Sequence, residues 1–224
     1  MTKAYKNWLG LVVTIIIPAI ILTKFSGGRL GPLGALLLAL AWPLAWGCYE
    51  FYLAKKANFL AIVGVVGVLL TGGIGLLQLN VRWLAAKEAA IPTIIALAII
   101  LLAKTKYSLV QTALQQIVDT DQIQAKLNSV KAKEGYQKIM ARVTHLMAAS
   151  FLLSAILNFI LATVLVTSPS GTEEFNRELA RLTLVSYPVI VFPSMVVLVG
   201  AMVYFINQTS KQTGLTVEEI LGKV

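Results

Sequence analysis

Apolar residues along this chain form six long runs, which short polar stretches separate. Most of these runs are close to the roughly 17–25 residues that an α-helix needs to cross about 30 Å of hydrocarbon. The pattern predicts an all-α, polytopic membrane protein with six transmembrane helices in three hairpins. A single membrane domain over residues 1–224 is expected, with spans at residues 9–23, 30–51, 59–79, 85–103, 145–166 and 182–206.

The central hairpin, residues 69–102, carries the most specific pattern. A glycine-rich apolar run leads to a polar elbow, and a second apolar run is entered through Pro92. Gly67, Thr71 and Gly75 recur every four residues, a spacing of small residues that lets two helix backbones approach closely. The elbow is expected to hold Asn80, Arg82, Trp83, Lys87 and Glu88.

The longest polar segment covers residues 104–144. Its apolar residues keep helical spacing, which predicts two short amphipathic helices against the membrane surface or the helix ends. Asp119 or Thr120 is the expected N-cap between the two pieces. Further on, Thr216-Val217-Glu218-Glu219 has the pattern of a capping box and predicts a short last helix.

The net charge of +9 follows the helix ends and particular loops. Thirteen Lys and Arg residues fall on one predicted side of the membrane and six on the other. The richer side is expected to be cytoplasmic, which places both termini there. This distribution does not indicate a nucleic-acid partner. The one cysteine, Cys48, lies in an apolar run and is interpreted as a small buried hydrophobe.

Polar residues inside apolar helices are costly and are therefore candidates for function. In the second helix, Trp42, Trp46 and Glu50 share one face, and they form either an aromatic path to a carboxylate or ordinary packing beside the interface. In the fifth helix, Asn158 follows Ser150 and Ser154 at steps of four. It either coordinates a ligand or makes an interhelical hydrogen bond.

The sixth helix has Ser186, Tyr187 and Ser194 around two prolines, where freed carbonyls need partners or line a cavity. Thr71, Gln78 and Thr93 complete the candidate pocket residues. Glu88 beside Lys87 is either a proton-carrying carboxylate or half of an ion pair at the membrane rim. The sequence shows no metal-ligand cluster, nucleophile–base pair or phosphate-cradling glycine loop, so neither an enzyme nor a cofactor is expected.

The hairpin carries the sequence TGGIGLL, then Arg82-Trp83 and Lys87, then Pro92-Thr93 at the start of a helix. This combination resembles the bacterial inner-membrane proteins of the intracellular septation protein A type. The stretch RVTHLMAASFLLSAILNFILA is similar to that family's fifth helix, where Asn158 matches an asparagine. The family has a Trp-Lys-Pro run at the elbow, whereas four residues separate Lys87 from Pro92 here.

A related proteobacterial group, often labelled as major-facilitator transporters, is also similar. The matching stretches are LGPLGALLLALAWPLAWGCYEF, LLTGGIGLL, KEAAIP, SPSGTEEFN and SYPVIVFPSM. The resemblance implies a bacterial inner-membrane location and a role linked to the cell envelope. It supplies no catalytic residues.

Two functions stay open at this point. The first is a non-enzymatic role in envelope maintenance or division, through contacts with partners. The alternative is a small transporter or channel with a pocket between helices 2, 5 and 6. The expected partners are the lipid bilayer, anionic lipid or acidic proteins at Lys104–Arg142, and further copies of the chain.

Overall fold

A computed structural model describes residues 15–54, 59–105 and 107–222, without the side chains of residues 50, 51, 53, 54 and 59–64. All regular structure in these ranges is helical, which confirms the all-α expectation for them. In chain order the helices are α1 Ile17–Lys24, α2 Gly31–Ala54, α3 Phe59–Leu76, α4 Arg82–Leu102, α5 Leu109–Leu114, α6 Thr120–Lys126, α7 Val130–Leu165, α8 Glu173–Ser186, α9 Phe192–Thr213 and α10 Val217–Leu221.

Among the described residues, four helical segments are long and apolar enough to cross a membrane. They are Gly31–Tyr49, Arg82–Leu102, Val130–Leu165 and Glu173–Thr213. The last is a continuous helical segment of 41 residues, because a π-helical turn at Tyr187–Val191 follows α8 and precedes α9. These segments fit an α-helical protein embedded in a membrane. Six crossings and the orientation of the chain stay predictions.

Two helices begin earlier than the hydropathy pattern predicts. The fifth predicted span begins at residue 145, but α7 begins at Val130. The sixth predicted span begins at residue 182, but α8 begins at Glu173. Thr172 is the N-cap of α8, and its hydroxyl accepts a hydrogen bond from the Phe175 N–H. Hydropathy marks where a helix enters lipid, and both helices continue beyond that point with polar residues.

The elbow of the central hairpin is also shorter than expected. Only residues 77–81 form the turn, so Arg82, Trp83, Lys87 and Glu88 are helical residues of α4. The Asn80 side chain accepts a hydrogen bond from the Arg82 N–H at 3.0 Å and so caps α4. The start of the first predicted span, residues 9–14, lies outside the described residues.

Both predicted caps are confirmed. Asp119 is the N-cap of α6, and its carboxylate accepts a hydrogen bond from the Gln122 N–H at 3.0 Å. Thr216 and Glu219 form the expected capping box at the start of α10. These signals are local, since each needs only residues within one helical turn.

The helices group into two compact units. Unit 1 contains residues 1–91 and 156–190, and its described core includes the fully buried Leu36, Leu84 and Phe175. Unit 2 contains residues 92–155 and 191–224. In its core, α5, α6 and α10 pack on α7 and α9, with Ile123 and Phe205 fully buried. The single membrane domain stays a prediction.

Gly75 and Gly73 of α3 provide a matched test of the packing in unit 1. A Cβ at Gly75 would collide with the buried Leu36 side chain and lie 3.4 Å from Phe175, whereas a Cβ at Gly73 would have no neighbour within 4 Å. Gly75→Ala is therefore expected to destabilise the protein by about 1–3 kcal/mol. Gly73→Ala should leave the stability unchanged or raise it, since alanine favours helix. Thermal unfolding in detergent measures both, and equal midpoints would contradict this packing.

The capping box predicts a pH dependence at α10. Hydrogen bonding by the Thr216 backbone N–H holds the pKa of the Glu219 carboxyl below its ordinary value. The charged carboxylate therefore stabilises the start of α10 above the ordinary pKa, and this contribution is lost as the pH falls through the lowered pKa. A carboxyl titration by NMR should show the lowered pKa. Thr216→Ala removes the hydroxyl contribution but keeps the backbone N–H, so it should return the pKa only part of the way towards the ordinary value. A pKa at or above that value in the unsubstituted chain would refute the prediction.

Candidate functional site

The α3–α4 hairpin of unit 1 places a lysine among apolar helix residues. The Lys87 ammonium donates a hydrogen bond to the Thr71 hydroxyl at 2.7 Å, and it lies 2.6 Å from a carboxylate oxygen of Glu88. Only 10% of the Lys87 side chain is exposed, against 27% for Glu88. The structure therefore shows the ion pair, one of the two interpretations left open by the sequence, with the Lys87 side chain largely buried within the protein.

The register of the hairpin explains why these residues meet. Thr71 and Lys87 are equally far in sequence from Leu79, in the middle of the turn. Gly67 and Ile91 are also equally far from Leu79, and a Cβ at Gly67 would lie 3.7 Å from the Ile91 side chain. Residues at equal distances from the turn thus face each other across the hairpin.

On the α3 side, the hydrogen bonds of the Lys87 network run to Thr71 and from Thr71 to Gly67. The Thr71 hydroxyl accepts from Lys87 and donates to the Gly67 carbonyl at 3.0 Å, so both of its roles are used. A nearly buried ammonium needs such partners, because an isolated charge is expensive to bury. The arrangement joins α3 to α4, and the role of Glu88 as a proton-carrying carboxylate stays a prediction.

The tryptophans of α2 lie apart from this network. Trp42 is 44% exposed, and the Trp46 ring contacts the Tyr49 ring with centroids 5.8 Å apart. The side chain of Glu50 lies outside the described part, so the proposed path to a carboxylate stays a prediction. The thiol of Cys48 is exposed, which contradicts the expectation of a buried hydrophobe. An apolar residue facing lipid is exposed in the protein alone, and this explains the difference.

An open groove of about 210 Å³ runs between α2 and α3 in unit 1. Leu40 and Leu44 line one side, and Gly72 and Gly73 line the other. The lining is apolar and includes none of the polar residues that the sequence nominates for a pocket. In a bilayer this groove would accommodate hydrocarbon.

The small-residue stripe of α7 faces the protein interior. Ser150 is buried, and its hydroxyl donates to the Ser194 carbonyl of α9 at 2.8 Å, within unit 2. Ser154 and Asn158 are half-buried, and each has an interaction partner. The role of Asn158 as a ligand or as a packing residue stays a prediction.

The candidates around the two prolines have separate surroundings. The Ser186 hydroxyl donates to the Leu182 carbonyl of its own helix at 2.6 Å, and Tyr187 opens the π-helical turn with 42% of its surface exposed. Both belong to unit 1, whereas Ser194 belongs to unit 2 and its buried hydroxyl has no hydrogen-bond partner. Gln78 is exposed in the hairpin turn, with a φ of 51°.

Sequence reasoning missed Asn176, the fully buried amide of α8. Its nitrogen donates to the Ser26 hydroxyl at 2.8 Å and to the Pro32 carbonyl at 2.7 Å. The Ser26 hydroxyl itself donates to the Leu22 carbonyl, so both oxygens near Asn176 can only accept. This fixes the orientation of the amide and fastens α8 to the turn between α1 and α2.

Glu178 holds the chain segment after α7 in place by hydrogen bonds. Its carboxylate accepts hydrogen bonds from the Thr167 and Ser168 N–H groups, both at 2.9 Å, and from their hydroxyls. Asn176 and Glu178 fall between the predicted spans 145–166 and 182–206, so neither was considered as a helix residue. The threonine N-cap followed by two glutamates was the signal that could have indicated a helix here.

Comparisons of the chain with protein-family models, with curated proteins and with solved structures found no match.

The Lys87 network makes a quantitative prediction. Lys87→Met leaves the partly buried Glu88 without its cation and Thr71 without its donor, so we expect a loss of about 3 kcal/mol in the free energy of unfolding. Glu88→Gln in the same chain should restore part of this loss, because it removes the unpaired charge. Unfolding in mixed micelles measures both variants.

The ion pair between Arg177 and Glu173 provides the control in the same unit. The side chains of Arg177 and Glu173 are 59% and 30% exposed, so Arg177→Gln should cost no more than about 1 kcal/mol. If Lys87→Met and Arg177→Gln were equally mild, Lys87 would not stabilise the hairpin.

Proposed function

We propose that this chain is an integral protein of the bacterial inner membrane with a non-enzymatic role in cell-envelope maintenance or division. Its apolar helices support the membrane location, and the resemblance to the intracellular septation protein A type supports the envelope role. The excess of Lys and Arg on one side supports an orientation with both termini in the cytoplasm. In this proposal the protein acts by contact, through the surface of unit 2.

The folded cap of unit 2 is the observation that carries this proposal. The cap consists of α5, α6 and α10, packed on α7 and α9. The Asp119 N–H donates to the Ile220 carbonyl at 2.8 Å, which ties α6 to α10. Ile123 and Ile220 are fully buried, whereas Lys126 is exposed. A segment with its own core presents charged residues at fixed positions, as a contact surface requires.

Polar groups of the apolar helices support the same interpretation. Ser150 bonds to the Ser194 carbonyl, and Ser186 bonds within its own helix. Hydrogen bonds of this kind satisfy polar groups in hydrocarbon and fix helix packing.

A small transporter or channel is the second candidate, and the Lys87–Glu88 pair favours it. Ionisable residues within membrane helices often mark the route of an ion or substrate. Lys87 lies about 7.5 Å along α4 from its first residue, Arg82, since each helical residue adds about 1.5 Å. A water-filled path that reached this pair would make it a proton-exchange site.

Cysteine accessibility distinguishes the two candidates. In a Cys48→Ala background, single cysteines replace Trp46, Asn158, Ser186 or Ser194, and a small water-soluble thiol reagent is added to intact membranes. The control is a cysteine at Ser129, which is exposed before α7. The contact proposal expects labelling of the control alone. Labelling at several of the other positions would indicate a hydrated cavity and favour transport.

A complementation experiment tests the envelope role. Cells that lack the protein should show defects of the septum or envelope, and the unsubstituted chain should correct them. Exchange of the exposed Lys126, Lys131 and Lys133 for Gln should weaken the correction, whereas exchange for Arg should preserve it. Normal septa and envelopes in cells without the protein would refute the proposal.

A further inference from the structure

One face of α7 changes from basic to apolar along its length within unit 2. The exposed residues follow each other at steps of three or four, which places them on one side of the helix. In order, they are Lys131, Glu134, Lys138, Arg142, Leu146, Ala149 and Leu152. The change from charged to apolar side chains therefore lies between Arg142 and Leu146.

The exposed face of α9 changes in the same way. Val199 and Val203 are more than half exposed, and Asn207 and Lys211 follow on the same face. Arg142 donates a hydrogen bond from its guanidinium to the Tyr204 hydroxyl at 3.1 Å. This bond places the change from polar to apolar side chains on α7 beside the same change on α9. We therefore expect both helices to meet the boundary between hydrocarbon and polar surroundings there.

Helix geometry decides which cations lie at that boundary. With a rise of about 1.5 Å per residue, Lys138 lies about 6 Å along the axis from Arg142, and Lys131 lies about 16 Å from it. The headgroup region of one leaflet is only about 5–8 Å thick. With the hydrocarbon boundary between Arg142 and Leu146, and α7 along the membrane normal, Arg142 and Lys138 would fall within the headgroup layer, and Lys131 and Glu134 would fall beyond it.

We propose that anionic phospholipid headgroups bind to α7 at this level, through Arg142 and Lys138. The guanidinium offers a planar fork to phosphate, the Lys138 ammonium offers a point charge, and Tyr204 positions Arg142. A lipid is the fitting occupant because the basic patch continues an exposed apolar face on the same helix. Neither cation is in a salt bridge within the described ranges. The proposal depends on membrane insertion and not on the envelope role.

Two double variants with the same change in charge test the proposal. The full chain in mild detergent is titrated with phosphatidylglycerol or phosphatidylcholine, and native mass spectrometry counts the lipids retained. Lys138→Gln with Arg142→Gln should lower the affinity for phosphatidylglycerol by about 25-fold, since each cation near a membrane surface contributes about five-fold. Lys131→Gln with Lys133→Gln should leave the affinity within about two-fold of the unsubstituted chain, because both residues lie beyond the headgroup layer.

Further variants separate charge from fold. Lys138→Arg with Arg142→Lys keeps both charges and should retain most of the phosphatidylglycerol affinity. Equal losses in the two Gln variants would mean general attraction to a basic protein, and no loss in either would mean no lipid site at Arg142. Each result would overturn the proposal. Retention of an acidic peptide without preference for phosphatidylglycerol would assign the patch to a protein partner and would overturn it as well.

A measurement on the otherwise unsubstituted chain covers the case in which the Gln variants do not fold. A fluorophore is attached to a cysteine at the exposed Ala141, in a Cys48→Ala background. In vesicles of phosphatidylcholine, energy transfer to a headgroup-labelled phosphatidylglycerol should exceed transfer to labelled phosphatidylcholine. About 1 M salt should remove the difference by screening. Equal transfer at low salt would overturn the proposal.

Discussion

A polar group in an apolar helix must find its partner inside the protein, because hydrocarbon offers none. The ammonium of Lys87 is the strongest case, since it depends on Thr71 across the hairpin and on Glu88 beside it. A shift of α3 against α4 by one residue would separate Lys87 from Thr71. Four residues after Thr71 on α3, Gly75 packs so closely on the buried Leu36 of α2 that a Cβ at Gly75 would collide with it. The hydrogen bond to α4 and the close contact with α2 therefore both depend on the position of α3.

Single polar side chains fasten helices elsewhere in each unit. Asn176 connects α8 to the turn before α2, and in unit 2 Ser150 connects α7 to α9. Serine and asparagine are small enough to allow close helix packing and strong enough as hydrogen-bonding groups to select one partner. This explains why polar residues that resemble a pocket in the sequence can serve as links between helices.

The sequence predicts helices better than it predicts partners. The caps at Asp119 and Thr216 were correct because the needed residues are neighbours in the chain. The predicted start of α7 was wrong because apolar content indicates contact with lipid, whereas α7 also includes charged residues such as Lys138 and Arg142. The contact of Thr71 with Lys87 could have been predicted by counting from the hairpin turn. The contact of Asn176 with Ser26 could not, since the two residues are far apart in sequence and share no pattern.

The length of α7 connects the fold to the proposed functions. Its 36 residues extend for about 54 Å, whereas the hydrocarbon is only about 30 Å thick. A helix of this length that crosses a bilayer must project from it, and its projecting part needs an apolar side and a polar side. Ile139 and Val143 are buried on the first side under the cap helices, whereas Lys138 and Arg142 are exposed on the second. A basic band at the membrane boundary and a folded cap beyond it thus follow from one requirement, a helix longer than the bilayer that it crosses.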